Sequence, residues 1–531
     1  MFYLKLFETE SEKEACQVTK EYLGYTKEVD ESYIHPYDFS QDYLTFVALS
    51  DGTFSFSGIQ TANTISYSTD NGATWSTPSN TVTINVNNGD SVLWKGEMTP
   101  ITGVVEDNIT TGIGAFSGGT AQFEAKGNPM SLLYGDNYTG QTSLASTNNA
   151  FANLFNASKI VTANQLNLDF TLSSMCYASM FFGCTDLTTV PELQETTLVY
   201  GCYYRMFYGC TSLVNAPKLQ ATTLADTCYR EMFQDCTSLV SVPNLNASAL
   251  APNCYRSMFN GCTSLTQIQV ALLTATTLSD GCYKYMFANC TSLTKAPELP
   301  ATTLAPNCYE SMFQSCSALT VSPQIQATAV ASYCCNNMFN GCKSLTTAPS
   351  VLPAAKLSQS CYARMFFGCI SLRVAPELPA TTLASSCYDN MFYNCVALTT
   401  PPSVLPSTTL TPYCYRFMFQ SCRNLTTVPS ISATTLATSC CLSMFQGCTK
   451  ITQAPDLLST TLTNNCYMSM FSGCTSLNSI KMLATDISAT DCLTNWVDGV
   501  AASGTFTKAA TMATLPSGSS GIPNGWTVQD A

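Results

Sequence analysis

Charge is the scarcest property of this chain. Only 11% of its 531 residues are Asp, Glu, Lys or Arg, against roughly 25% in ordinary globular domains. The 22 Lys and Arg are outnumbered by 35 Asp and Glu, a formal net charge of -13. Nucleic acid is therefore not an expected partner, because neutralising phosphates needs clustered cations. Histidine occurs once, at His35. That leaves no His-based metal cluster and argues against a Ser-His-Asp triad. Apolar runs of about 18 residues, long enough to cross a membrane as a helix, are missing too. The opening stretch Met1 to Phe7 is apolar but runs straight into Glu8, Glu10, Glu12 and Glu14, where a secretory leader would carry a longer apolar core. The expectation is a chain made in a reducing compartment. Hydrophobic residues still make up 46%, which argues against disorder, and the length corresponds to about three average domains.

What the chain has in abundance is cysteine, 28 in all, and repetition. The dipeptide Met-Phe begins at Met180, Met206, Met232, Met258, Met286, Met312, Met338, Met365, Met391, Met418, Met444 and Met470. Each of these methionines has a cysteine four residues before it and another four after it. The step between copies is 26 residues, with 28 once and 27 twice. A degenerate unit extends the array each way, through Leu154-Phe155 upstream and Cys492 and Trp496 downstream. Loss of consensus at the ends is expected of capping repeats, so residues 148 to 505 read as about 14 coils.

Within a unit, Cys176, Met180 and Cys184 lie at i, i+4 and i+8, one face of a short helix of about two turns. Leu187, Val190 and Leu193 then point to a short extended segment. Neither piece can bury its apolar face alone, so stacking makes the core. The extended segments are expected to form a parallel sheet with rungs about 4.8 Å apart, in a curved solenoid roughly 65 Å long. Pro191 and its equivalents remove a ladder donor, so the ladder is expected to end at or just before them, with strands of about three residues. The fold class read from this pattern is an α/β repeat solenoid, preceded by a small all-β sandwich and an N-terminal arm.

The unit resembles the BspA-like (treponemal-type) leucine-rich repeat. That pattern has an aromatic, a cysteine three residues on, a leucine three further, then a short strand and a proline. Phe207, Cys210, Leu213 and Pro217 fit it, as do their equivalents in nearly every unit. The period here is longer, and a second cysteine precedes the tyrosine. The resemblance implies a binding surface, often on cell exteriors, and no reaction.

The repeated cysteines admit three readings. A disulfide within a unit is excluded if the segment is helical, because residues eight apart on a helix lie about 12 Å apart and a disulfide needs Cα atoms within about 7 Å. Disulfides between neighbouring coils would require the coils to pair two by two. A metal site would want C-x-x-C or Cys/His clusters, which do not occur. The simplest reading has the thiols as small buried apolar groups in two columns, interrupted by the isolated variants Cys335 and Cys441 in the tyrosine position.

The front of the chain differs. Residues 1 to 40 hold nine acidic residues and four lysines, a net of -5 out of -13, and read as an acidic attachment arm with a short helix from Glu8 to Tyr22. Residues 41 to 134 read as a β-sandwich-like domain. Runs such as Tyr43 to Leu49, Thr81 to Val86 and Ser91 to Trp94 are separated by the turn signals Asp51-Gly52, Asn71-Gly72 and Asn88-Gly89. Ser68 to Trp75 matches the Asp-box of sialidases, S-x-D-x-G-x-T-W, a motif that specifies a hairpin shape and not catalysis. Residues 135 to 147 read as a linker, and 506 to 531 as a C-terminal capping tail. The arm (Leu4 to Glu10, Tyr33 to Tyr37) resembles N-terminal segments of virion-associated proteins of gut phages. The segments Tyr43 to Phe56, Tyr67 to Trp75, Leu93 to Gly96 and Met130 to Gly135 resemble a module found before such repeats in gut bacteria and their phages.

These readings converge on a non-enzymatic phage virion surface or fibre protein that displays a solenoid for binding. Residues 1–134 would meet a virion or cell-surface attachment protein. The solenoid would meet a host surface glycan or protein, and the chain could form a homo-oligomer. The alternative is a bacterial cell-surface leucine-rich-repeat adhesin. The third reading, a glycan-acting enzyme with accessory repeats, would need a convergent carboxylate pair that the consensus does not supply. No residue is assigned a catalytic, metal or cofactor role. The expected binding face is the sheet side, at the variable position before the Ala-Pro: Thr189, Asn215, Ser241, Gln267, Lys295, Thr347, Thr400, Thr427 and Gln453. Longer units near Gln269–Leu273, Val351–Lys356 and Val404–Ser407 are expected to bulge from one edge. Thiol titration of the denatured, unreduced protein should count close to 28 free thiols; a count of a few would establish disulfides instead.

Overall fold

The computed structural model describes residues 39–531 apart from 60–62, 80, 101–103, 106–107, 110–111, 270 and 513–514. The acidic arm with its expected helix lies outside the described residues, except for Phe39 and Ser40, and so does Val270 of one expected bulge.

The Cys-Tyr-x-x-Met-Phe-x-x-Cys segment is not a helix. It is a ribbon of consecutive turns, and the reason lies in the backbone. The residue before the first cysteine, the residue before the methionine and the residue before the second cysteine are left-handed in every unit. In one unit these are Met175, Ser179 and Gly183, with φ of 57°, 54° and 68°. A left-handed residue every fourth position breaks the α-helical bonding pattern. Alternate amides then do different work. Ala178, Met180, Phe182 and Cys184 donate within the turn, to Met175, Tyr177, Ser179 and Phe181, at 3.0–3.2 Å. The amides between them, Tyr177, Ser179, Phe181 and Gly183, point along the solenoid and donate to the carbonyls of Cys202, Tyr204, Met206 and Tyr208 at 2.7–3.0 Å. The pattern recurs coil after coil, so buried backbone groups find partners without a helix.

The four-residue turn period also aligns the core. Cys176, Met180, Phe181 and Cys184 are all fully buried. Phenylalanines stack in an unbroken column from Phe155 through Phe181, Phe207 and onward to Phe471, with ring centroids 5.2–5.8 Å apart in near-parallel planes. A second column of tyrosines runs from Tyr177 to Tyr309. It resumes from Tyr362 to Tyr415, beyond Cys335. All 27 described cysteines are buried free thiols. Those of the second column also donate. Cys210 Sγ lies 3.2 Å from the carbonyl of Phe181 in the preceding coil, and Cys316 Sγ lies 3.0 Å from that of Phe287. Desolvation pushes the thiols of Cys184 and Cys236 up to about 12, so they stay protonated donors at neutral pH. Because the segment is not helical, helix spacing does not account for the lack of disulfides.

The extended side forms a parallel ladder, as its composition implied, but mostly in single-residue bridges, with a two-residue pair at Val404–Leu405 and Ser430–Ile431. Asn215 pairs with Ser241 ahead of the proline, and Leu193 with Leu219 beyond it. The ladder thus skips the proline and resumes, where the sequence had pointed to its end. Where Lys481 stands in place of the proline, a continuous four-residue strand forms, Ser479–Met482, parallel to Thr505–Lys508. The tail adds Thr527–Asp530 to the same sheet, and Trp526 Nε1 donates to Ala501 O at 2.8 Å.

At the front, strands β1 (Leu44–Ala48), β2 (Gly52–Phe56), β3 (Thr64–Ser68), β4 (Val82–Val86) and β5 (Ser91–Glu97) precede two short ones, β6 (Val104–Val105) and β7 (Asn108–Ile109). Then come β8 (Phe123–Gly127) and β9 (Ile160–Leu166). The main sheet has the order β3-β5-β1-β8-β9, and β2 pairs with β4. β9 belongs to the start of the array and pairs in parallel with β8, so front and solenoid share one sheet. They also share one core, since Phe46 of β1 lies 5.8 Å from Phe155, the first ring of the phenylalanine column. The residues read as a linker, 135–147, open on a short 3-10 turn, Gly135–Asn137, and bury Tyr138 and Leu144.

Emptying one position of the column removes ring contacts on both sides and leaves a cavity that rigid neighbouring coils cannot fill. Phe313→Ala should cost about 3–5 kcal/mol by denaturant unfolding, at the high end of large-to-small substitutions; a loss under about 1 kcal/mol would show that the column does not carry the stack.

Candidate ligand-binding faces

All nine sheet-side positions are exposed, and they hold the same place in successive coils, where the ladder joins Asn215 to Ser241 and runs from Lys295 to Thr400. Lys295 bridges to Val321, Val321 to Thr347, Thr347 to Val374 and Val374 to Thr400. Val321 and Val374 occupy the same column and are 49% and 54% exposed, so the face is less uniformly polar than the nine residues alone indicate. Asn215 and Ser241 pair with each other at 3.4 Å. The neighbouring threonine column is committed to structure: the hydroxyls of Thr188, Thr294, Thr346 and Thr399 each donate to a carbonyl of the preceding coil at 3.0–3.2 Å. Lys295 is the one charged group among the nine. The arrangement is a regular surface of short side chains, able to hydrogen-bond an extended partner.

The opposite face, made by the turn ribbon, carries stronger chemistry. The two residues before each methionine vary freely, and five of the chain's seven arginines sit there: Arg205, Arg230, Arg256, Arg364 and Arg416. The position directly before the methionine is left-handed. Gly or Asn would be comfortable there, and a bulky side chain costs on the order of 1–2 kcal/mol. Arg205, Glu231 and Tyr285 nevertheless hold φ of 54°, 59° and 56°. All three line one groove of about 420 Å³, with Tyr208, Gln234 and Arg256. Glu231 is 7% exposed and accepts from two guanidiniums, Arg205 Nε at 2.5 Å and Arg230 Nε at 2.9 Å. The Arg205 guanidinium also lies 4.8 Å above the Tyr204 ring. Burial and then the Asp235 carboxylate push the Tyr208 phenol up to about 12, so it remains protonated. Arg256 Nε is buried with no hydrogen-bond partner. The variable pair would face outward on a helix as well. The signal was present as arginines clustered at two positions of the repeat.

The front hairpin closes on Asp70. Its Oδ1 accepts from Ser68 Oγ and the Thr74 amide, at 2.7 and 2.8 Å, and its Oδ2 from Thr74 Oγ1 at 2.6 Å. These bonds, the Thr74 hydroxyl first, hold the carboxyl down at about 2. Both carboxylate oxygens are thus spent on the turn. Trp75 packs beside Tyr43, with Lys95 Nζ 4.1 Å from its ring. Among the described residues no group of His, Cys, Asp or Glu is arranged to hold a metal ion, and no helix is long and apolar enough to cross a membrane.

Stacked coils of near-constant length, a shared aromatic core and a parallel ladder define a repeat solenoid of the leucine-rich-repeat kind. The chain belongs to the BspA type leucine rich repeat region family, whose six-copy model matches residues 147–294, 255–399 and 385–490. Among solved structures it is similar to a leucine-rich repeat protein from Bacteroides ovatus ATCC 8483, at 16% identity and a TM-score of 0.30, over 67% of this chain and 84% of that one. No curated protein matches the chain.

Proposed function

We propose that this is a non-enzymatic display and binding protein, adhesin-like in action, in which a solenoid of about fourteen coils presents its two faces to a ligand. The observation that carries this reading is where exposed chemistry varies. The buried columns repeat nearly unchanged, while exposed variation concentrates at the sheet-side position and at the left-handed positions of the turn ribbon. Bulky charged and aromatic residues held there against a backbone cost are what a recognition surface requires. In this reading the acidic arm and the front β-domain attach the protein to a phage virion, through a virion attachment protein, and the solenoid projects toward a host surface glycan or protein. A bacterial cell surface is the second setting, favoured by the family.

Purified virions and washed, fractionated cells from the source, probed with an antibody to the solenoid, separate the two settings. The protein is expected to co-purify with particles. Recovery with the cell envelope and not with particles would favour the bacterial setting, and recovery only in the soluble cell fraction would overturn a surface role.

A further inference from the structure

The groove on the turn-ribbon face has a composition that selects a ligand. Its donors are the guanidiniums of Arg205 and Arg256, the amides of Gln234 and Asn260, and the hydroxyl of Tyr285. Its one lining carboxylate, Glu231, is already held by Arg205 and Arg230. The amides and the hydroxyl can donate or accept, so the excess of donors lies in the guanidiniums, and the complementary ligand carries acceptors there. The Arg256 guanidinium sets the sign of the charge: it lines the groove, and its Nε, buried without a hydrogen-bond partner, is not held by any group of the protein.

Elsewhere on the same face the same surface column recurs without an open arginine. Phe182, Tyr208 and Gln234 occupy successive coils, and Phe367, Tyr393 and Gln420 repeat that order further along. The two aromatic pairs stack alike, at 4.8 and 4.7 Å. In the second stretch Arg416, which corresponds to Arg230, is closed internally as Arg230 is: it pairs with Asp389 through Nε and Nη2 at 2.8 and 2.9 Å, and Leu442 stands in the place of Arg256. A satisfied arginine is thus available to this scaffold, which makes the open Arg256 a distinguishing feature of the groove.

Shape narrows the ligand further. The groove runs from Phe182 to Tyr285, across four coil steps, or about 20 Å at the usual rung spacing. That suits an extended chain and exceeds a single small molecule. Amides and a phenol beside the guanidiniums match a ligand that carries hydroxyls as well as anionic groups.

We infer that the groove binds a carboxylate-bearing polysaccharide segment, with Arg256 pairing to a carboxylate and Gln234, Asn260 and Tyr285 meeting sugar hydroxyls. This deepens the binding role proposed above and rests on it. The test is calorimetric titration of the full chain with a galacturonic acid oligosaccharide and with its methyl ester. The acid should bind, and the ester should bind at least about tenfold more weakly, the scale of one charge-assisted hydrogen bond. Arg256→Gln should weaken binding of the acid by a similar factor with an unchanged melting temperature, since the Nε it removes has no partner in the protein. Exchanging Gln267 and Lys295 together for alanine on the sheet face should leave binding unchanged. Equal binding of acid and ester, no binding of the acid, indifference to Arg256→Gln, or loss on the sheet-face variant would each overturn the inference. A protein that co-purifies with particles or envelopes yet ignores the acid removes this ligand and leaves the surface role standing. A protein found only in the soluble cell fraction removes the surface role itself.

Discussion

The structure depends on where every second amide of the turn ribbon points. Directed along the solenoid, these amides join each coil to the next, as Tyr177 joins Cys202 and Phe181 joins Met206. A helix would have kept those amides to itself and left the coils in contact only through side chains. Here the backbone ties neighbouring coils on the ribbon side and, through the bridges, on the extended side as well. Every fourth residue must be left-handed for this to work, and that requirement organises the sequence around it. Gly, Asn, Asp and Ser recur before the second cysteine, as Gly183, Asp235, Asn289 and Ser315 do.

The core follows from the same constraint. With coils held in register, side chains at equivalent positions must stack on copies of themselves. Flat rings do so well, which accounts for the phenylalanine and tyrosine columns. Cysteine suits the inner positions because it is small and apolar, and its thiol can reach the phenylalanine carbonyl of the preceding coil, as Cys210 reaches Phe181. Cysteine abundance in this chain therefore reflects the geometry of stacking. The free, buried state of the described thiols is a property of the core.

Much of this was legible in the sequence. The repeat, its register, the two cysteine columns and the parallel ladder followed from the spacing of Met180, Cys184 and their copies. The helix did not. Cys176, Met180 and Cys184 at i, i+4 and i+8 satisfy a helical face and a four-residue turn period equally well. Residues that tolerate left-handed backbone, recurring at four-residue intervals, were the signal that separates the two. The sheet-side column from Lys295 to Thr400 was found because a variable position in a ladder is exposed whatever the rest of the coil does. The groove around Arg256 is not legible in the spacing, because which variable pairs of successive coils come together is set by how the coils stack. A carboxylate such as Glu231, held by arginines from two coils, is visible only once the coils are stacked.

Far-UV circular dichroism of the purified full chain tests the stacked-turn architecture most directly, because a repeated helix and a repeated turn ribbon would contribute differently in every coil. The ribbon predicts a spectrum without the paired minima of α-helix. A strongly helical spectrum would contradict it and return the repeat to an ordinary strand-and-helix unit.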